Sequence, residues 1–373
     1  NNMLYLDNAA TTELNREVLD EMLKALSSYG NSESKYYAPA ENAKKLISQA
    51  RAKVASIINA NEGEIIFTSG ATEANNLVLK GSCFANLNRK KRIVISSIEH
   101  SSVYDTCKFL ESLGVEIAIV PVNKNGELDL EILDKEITND TILVSIIYAN
   151  NEIGTIQNLQ EIDKICKKHK AQLHIDATQA IGKVKLDFKE YNSLKFVTFT
   201  SHKIYGPKGV GCLVCKEDGN GIKPCLVPLL HGGQQEFGFR AGTLPTALIV
   251  GFGKACEIAQ RDFDKNILIL SKYECIVLEK LKKKFGENLI QNNDFTDRIP
   301  GLLNIRLNGY NNMILLRAIS SEIAASTGSA CAVSQPSRIL KNIGLSDDEI
   351  SQSIRISISA YTPEEEFSKL DLL

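Results

Sequence analysis

The stretch that decides the fold is FVTFTSHKIYGPKGVGCL, residues 196–213. Residues 196–200 are aromatic or β-branched and predict a buried strand, and residues 205–209 predict a tight turn into a second apolar run. Lys203 therefore lies just past the carboxyl end of a strand, the edge that faces the ligand crevice in open α/β sheets. A desolvated lysine amine attacks carbonyl groups and forms Schiff bases. The alternative is a lysine that only caps the strand and points to solvent.

Length and composition indicate an ordinary globular protein. The chain has 373 residues, is 43% hydrophobic and has a net charge of -2, so no basic field would attract nucleic acid or a membrane surface. No apolar run has the length of a membrane span, and the first residues lack the features of a secretory signal. The nine cysteines are scattered without a disulfide framework. These features predict a cytoplasmic protein in a reducing environment.

Predicted strands and helices alternate through about residue 215, which favours a mostly parallel sheet with helices on both faces. A helix is expected to open at RAGT, residues 240–243, and to run to about residue 262. From about residue 265, predicted helices and antiparallel strands indicate a smaller α+β domain. We expect a large cofactor-binding domain over residues 16–262 and a small domain made of residues 1–15 and 263–373. The predicted strands span residues 3–7, 64–67, 92–96, 115–120, 142–147, 172–175, 196–200, 301–307 and 353–359.

Four side chains with chemical potential follow four of these strands. His100, Asn151, Asp176 and Lys203 all lie at predicted carboxyl ends, so they can converge on one crevice although they are distant in sequence. The interval between Asp176 and Lys203 fits one crossover that contains a helix.

A lysine beside a strand-tip carboxylate is what pyridoxal phosphate needs. Asp176 can keep the pyridine nitrogen protonated while Lys203 holds the aldehyde. His100 can stack on the ring and move protons, or can simply cap a helix. A strand, a small-residue loop and a helix start at residues 64–73 form the parts of a phosphate cradle. Gln179 could bond the ring hydroxyl. The hydroxyl and imidazole groups that could hold the phosphate, each with helix capping as its alternative, are Thr72, Ser201, His202 and Thr243.

Two residues in the C-terminal part are candidates for the reaction itself. Cys331 lies among Ser, Thr, Gly and Ala without apolar periodicity, so we expect an exposed thiol that can act as a nucleophile. The alternative is a passive surface cysteine. Arg355 lies in an alternating strand and could bind a substrate carboxylate through its planar guanidinium, or face solvent. We expect no metal site.

These motifs resemble the cysteine desulfurases of the NifS/IscS type over nearly the whole chain. The matching blocks are LDNAATT (6–12), SGATEANN (69–76), EH (99–100), NNEIG (150–154), HIDATQAIGK (174–183), SHKIYGPKGVG (201–211), RAGT (240–243) and STGSAC (326–331). The resemblance implies a fold-type-I, pyridoxal-phosphate homodimer that converts L-cysteine to L-alanine. It also implies a persulfide on a loop cysteine, from which an acceptor protein takes the sulfur.

The same resemblance implies a role for each matching residue. Lys203 attaches the cofactor, His100 stacks on its ring and does acid/base work, Asp176 contacts the ring nitrogen and Gln179 the ring hydroxyl. The cofactor pocket is completed by Ala71, Thr72, Ser201 and His202, and Thr243 contacts the phosphate from the other subunit. Asn151 contacts cofactor and substrate, and Arg355 binds the substrate. Cys331 is the nucleophile.

Three other functions stay open on this scaffold. A selenocysteine lyase or an aminotransferase would use the same cofactor, but transamination needs no thiol. A catalytically idle scaffold for sulfur transfer has no need for Lys203, Asp176 and Cys331 together. The loop at residues 31–36 and the segment after Cys331, about two residues short, depart from the pattern of the family. The acceptor could be an iron–sulfur scaffold or a tRNA or DNA thiolation enzyme.

Overall fold

Short apolar strands alternate with amphipathic helices along most of the chain. The computed structural model describes residues 3–328 and 336–373. The strands are β1 (Leu4–Tyr5), β2 (Ile65–Thr68), β3 (Arg92–Ser96), β4 (Glu116–Val120), β5 (Thr141–Ile147), β6 (Leu173–Asp176), β7 (Leu194–Thr200), β8 (Gly211–Cys215), β9 (Leu289–Gln291), β10 (Leu302–Leu307), β11 (Ile323–Ala324) and β12 (Ser353–Ser357). The helices are α1 (Arg16–Leu26), α2 (Ala38–Ser56), α3 (Ala71–Ala85), α4 (Ser101–Ser112), α5 (Leu130–Glu136), α6 (Leu159–Lys168), α7 (Thr246–Arg261), α8 (Phe263–Phe285), α9 (Asn312–Ile319), α10 (Arg338–Asn342) and α11 (Asp347–Ser351).

A seven-stranded sheet in the order β2-β8-β7-β6-β5-β3-β4 forms the centre of the described chain. Pairing is parallel from β7 through to β4, and β8 runs antiparallel to both of its neighbours. The predicted mostly parallel sheet is thus confirmed. Because parallel strands end at one edge, the residues after β3, β5, β6 and β7 meet there.

Both faces of this sheet are covered, because successive strand residues point to opposite sides. Val94 and Cys212 pack with α1, α2, α5, α6 and α7 on one face, whereas Ile95 and Cys215 pack with α3 and α4 on the other. The two cysteines are therefore separate core residues on opposite faces.

The C-terminal part forms smaller sheets with a separate core. Strand β10 pairs antiparallel with β9 and β12, and β1 pairs parallel with β11. Their apolar side chains pack with Val277 and Leu281 of α8 and with Phe367 near the end of the chain. The predicted C-terminal α+β part is thus present. Among the helices of residues 3–328 and 336–373, none is both long and apolar enough to cross a membrane.

Two local predictions were wrong. Helix α7 begins at Thr246, so Thr243 lies in the preceding loop and does not open the helix. Pro245 explains the late start, because proline disfavours helical backbone in the residue before it and fits a helix beginning. The crossover from Asp176 to Lys203 contains the short 3-10 helix Phe188–Glu190 and no α-helix. The sequence reading also missed α5, and α2 begins at Ala38, before the predicted residue 42.

Candidate active site

A cavity of about 780 Å³ opens at the carboxyl edge of the seven-stranded sheet. The end of each central strand contributes one predicted residue to its wall, as the parallel topology requires. The predicted site residues that line it are Ala71, Thr72, His100, Asn151, Asp176, Gln179, His202, Lys203 and Arg355. Ser201 is buried beside the cavity without lining it, and Thr243 is exposed outside it. Cys331 lies outside the described residues.

Lys203 ends a short 3-10 turn directly after β7 and points into the cavity. Its Nζ donates hydrogen bonds to the backbone carbonyls of Ala9 and Ala10, the second at 2.8 Å. Burial, together with the nearby cations Arg355 and Lys183, lowers the pKa of Lys203 to about 8. Both hydrogen-bond partners are neutral, so this amine can lose its proton near physiological pH and act as a nucleophile.

Asp176 is the last residue of β6 and is 2% exposed. Its Oδ1 accepts a hydrogen bond from the Thr178 backbone N–H at 3.1 Å, and its Oδ2 accepts one from Asn75 Nδ2 at 3.2 Å. Gln179 is also buried and donates from Nε2 to the Ala9 carbonyl at 2.9 Å. A carboxylate held by several donors keeps a fixed orientation in the cavity wall.

His100 both caps a helix and lines the cavity, so the two roles considered for it from the sequence are compatible. It is the N-cap of α4, since its Nδ1 accepts the Ser102 backbone N–H at 3.1 Å, and it also lines the cavity. Burial lowers the pKa of His100 below that of a free imidazole, while the Asp176 carboxylate opposes this effect. The ring is therefore mostly neutral near pH 7.

The end of the cavity beside α3 has the features of an anion site. The backbone N–H groups of Ala71 and Thr72 open α3 and have no hydrogen-bond acceptor among the described residues. The Ser201 hydroxyl, directly after β7, is buried and has no hydrogen-bond partner among the described residues. His202 Nδ1 lies 3.0 Å from the Thr11 hydroxyl, and burial lowers the pKa of His202 to about 4 with help from Lys203 and Lys208. Free N–H groups at a helix start favour a negatively charged group.

Arg355 lies on β12 at the opposite wall and is 4% exposed. Its Nη1 donates to the Asn151 carbonyl at 2.8 Å, and its Nη2 pairs with Asp7 Oδ1 at 3.1 Å. Arg355 Nε and Asn151 Oδ1 are both buried, and neither has a partner among residues 3–328 and 336–373. A carboxylate that entered here could accept from the free guanidinium N–H.

The sequence reading missed four residues of this site. Asp7 forms an ion pair with Arg355, although the sequence indicated only the LDNAATT motif that contains it. Asn75, within α3, donates a hydrogen bond to Asp176. Glu152 is buried, accepts from Ser337 at 2.7 Å, and has a raised pKa because of burial. Arg338 donates to the Ser97 and Glu99 carbonyls and stacks over Tyr104 at 4.0 Å. A polar residue on the apolar face of α3 was a signal for Asn75, whereas no sequence pattern marks Arg338.

Comparison with known proteins agrees with this geometry. Residues 4–370 match the family Aminotransferase class-V. The chain is 40% identical over 370 residues to "Cysteine desulfurase IscS" of Buchnera aphidicola, covering 97% of this chain and 89% of that protein. Among solved structures, a "NIFS-LIKE PROTEIN" matches with a TM-score of 0.91 and 32% identity, covering 99% of this chain and 98% of that one. The structure "SspA in complex with cysteine" matches with a TM-score of 0.84 and 34% identity, covering 96% of this chain and 100% of that one.

Proposed function

The chain belongs to the aminotransferase class-V family, and on that basis we propose that it is a pyridoxal-phosphate-dependent cysteine desulfurase with the fold-type-I architecture. One observation carries the proposal. Lys203, Asp176, His100 and Arg355 line a single cavity although they come from distant parts of the chain. Gly328 and Pro336 line the same cavity, and they are the described residues that flank the segment containing Cys331.

The chemistry of the cavity fits the cofactor. Lys203 would attach the aldehyde, Asp176 would pair with the pyridine nitrogen, His100 would lie on the ring and Gln179 would reach the ring hydroxyl. The free N–H groups of α3 and the unpaired Ser201 hydroxyl support a phosphate at the other end, which Ala71, Thr72, Ser201 and His202 would hold. When bound, the cofactor supplies an electron sink for the substrate carbon.

The residues of the chain would then divide the reaction among them. Arg355 and Asn151 would bind the cysteine carboxylate, and the Lys203 amine would move protons at the substrate. The Cys331 thiolate attacks the substrate sulfur, so that an S–S bond forms as the C–S bond breaks. The products are alanine, which takes up a proton, and a persulfide on Cys331.

The assembly and setting belong to the same proposal. We propose a homodimer in which Thr243 contacts the phosphate of the other subunit, and a division into a large domain (16–262) and a small one (1–15 with 263–373). The persulfide would pass to an iron–sulfur scaffold or to a tRNA or DNA thiolation enzyme. A reducing, cytoplasmic setting is supported by the eight cysteines of the described residues, all of which are free thiols.

The Cys331→Ser variant tests this function, with Cys275→Ser as the matched control because Cys275 is an exposed thiol on α8. We expect Cys331→Ser to bind cysteine but to form alanine at least about 100-fold more slowly, since a serine hydroxyl is a poor nucleophile near neutral pH. Alanine release and persulfide mass are the measurements, and Cys275→Ser should match wild type in both. Normal alanine formation by Cys331→Ser would overturn the proposed persulfide mechanism and favour a selenocysteine lyase, whereas a keto acid in place of alanine would favour an aminotransferase. The absence of any activity in wild type would favour an idle scaffold.

A further inference from the structure

A buried asparagine connects the two polar residues at the centre of the cavity wall. Asn75 is 0% exposed and lies on the inner face of α3 between Ala74 and Leu77, and it does not line the cavity itself. A buried amide in an apolar helix face is costly unless its polar atoms are hydrogen-bonded. The partners of Asn75 therefore indicate why a polar residue occupies this position.

The amide nitrogen of Asn75 has two partners. Nδ2 donates to Asp176 Oδ2 at 3.2 Å and to Ser102 Oγ at 2.9 Å. A carboxylate only accepts, so the NH₂ end must be the one that faces Asp176. Asn75 Oδ1 is buried and has no partner in the part of the chain that the structure describes, so both side-chain hydrogen bonds of Asn75 in that part come from its NH₂ group.

The hydrogen bonds continue from Ser102 to His100. Ser102 Oγ lies 2.8 Å from His100 Nδ1, which also accepts the Ser102 backbone N–H at 3.1 Å. A backbone N–H can only donate, so Nδ1 carries no proton and the neutral ring is protonated at Nε2. Because Nδ1 carries no proton, the Ser102 hydroxyl donates to it, while the Ser102 oxygen accepts from Asn75.

We propose that Asn75 is a positioning residue that couples Asp176 to His100: one NH₂ group orients the carboxylate and, through Ser102, holds His100 in the form protonated at Nε2. This inference rests on the proposed function, which places the ring nitrogen of the cofactor at Asp176 and the ring surface at His100. With Asn75 in place, the Ser102 oxygen already accepts one hydrogen bond, which favours the orientation that directs its own proton at Nδ1. A ring protonated at Nδ1 is then disfavoured, because the Ser102 hydroxyl and backbone N–H both donate to that atom. The charged groups around His100 are Asp176, Lys203, Arg338 and Asp105, and the test variants retain all of them.

The test uses Asn75→Ala and Ser102→Ala, with Asn76→Ala as the matched control. Asn76 is the next residue of α3, and among the described residues its Nδ2 donates to the Thr72 carbonyl alone, at 2.9 Å. The ring nitrogens of the five histidines are followed by NMR through a pH titration of the cofactor-free protein, with His100→Gln for assignment. The dissociation constant of pyridoxal phosphate is measured separately.

We expect both Asn75→Ala and Ser102→Ala to raise the pKa of His100 and to admit a proton at Nδ1, while Asn76→Ala does neither. Asn75→Ala should also weaken cofactor binding about tenfold, because Asp176 loses a charge-assisted hydrogen bond, whereas Ser102→Ala should change it less than about twofold. The proposal is overturned if Asn75→Ala behaves like Asn76→Ala in both measurements. If Asn75→Ala does not fold, Ser102→Ala decides alone, and an unchanged His100 titration overturns the coupling. The NMR result requires no desulfurase activity, so it fails or succeeds separately from the proposed function.

Discussion

Two regions of the molecule differ in character: the sheet edge, which forms the candidate active site, and an exposed loop outside the cavity. At the sheet edge, Asp176, His100 and Lys203 lie within or just after strands and have their hydrogen-bond partners in the same chain. The exposed loop, residues 231–243, carries Thr243, which is exposed and lies outside the cavity. One chain thus brings Asp176, His100 and Lys203 together at the sheet edge. Thr243, which has a proposed role at the phosphate, does not line the cavity of its own chain.

The exposed loop is nevertheless held firmly at its base. Glu236 and Phe237 have left-handed backbone, with φ of 52° and 58°. Both guanidinium NH₂ groups of Arg51 donate to the Glu236 carboxylate at 2.8 and 2.7 Å, and Arg240 makes two bonds of 3.0 Å to Glu73. Such strain persists only where surrounding contacts enforce it, so the loop is a preformed surface. Under the proposed homodimer, the sheet edge would supply the chemistry and the loop would meet the second chain.

The largest expected effect is at the sheet edge. Lys203→Ala should lower alanine formation by more than about 10³-fold, because it removes both the cofactor attachment and the proton-transfer amine. Borohydride reduction of wild type, followed by peptide mapping, should place the cofactor on Lys203. Lys189→Ala, at an exposed lysine, should keep full activity and labelling. Label on any other lysine would remove the basis for this assignment of the sheet edge.

A smaller effect is expected at the wall that faces Lys203. Arg355→Lys keeps the positive charge and loses the guanidinium fork, so KM for cysteine should rise about 10- to 100-fold while kcat changes less. Arg306→Lys is the control, because Arg306 lies on the neighbouring β10 and pairs with Glu349 away from the cavity. Steady-state kinetics measure both constants, and melting temperatures check that loss of the Asp7 ion pair has not unfolded the chain. An unchanged KM would show that Arg355 does not bind substrate.

The sheet edge could be predicted from sequence because its placement follows from local patterns. Short β-branched runs identified the strands, and parallel topology then brought His100, Asn151, Asp176 and Lys203 to one cavity. Their chemical types suggested the cofactor before any resemblance was considered. These predictions needed only the order of the strands and the direction in which they run.

The other contacts could not be predicted because they depend on distant partners. Asn75 meets Asp176, and Arg338 meets the Ser97 carbonyl, only after α3 and α10 have packed, and side-chain orientation has no local signature. The position of Thr243 was predicted wrongly because the helix signal extended through Pro245, which in fact marks its start. Whether Thr243 serves its own chain or another is a property of the assembly, and local sequence does not encode it.

The last prediction separates these two possibilities for the exposed loop. Thr243→Ala alone should lower activity about tenfold through loss of a hydrogen bond to a charged phosphate. A heterodimer of a Lys203→Ala subunit and a Thr243→Ala subunit would have one intact site if Thr243 acts across the interface, because the first subunit provides the threonine and the second the lysine.

For an equal mixture after subunit exchange, random pairing predicts alanine formation about fivefold above that of the two parents assayed without exchange. Native mass spectrometry would verify that heterodimers have formed. If exchanged and unexchanged mixtures have equal activity although heterodimers are present, Thr243 acts within its own chain, and the exposed loop belongs to the same complete unit as the sheet edge. A rise in activity would instead establish that this cavity needs a residue from each of two chains, which is the reason a single chain leaves Thr243 exposed.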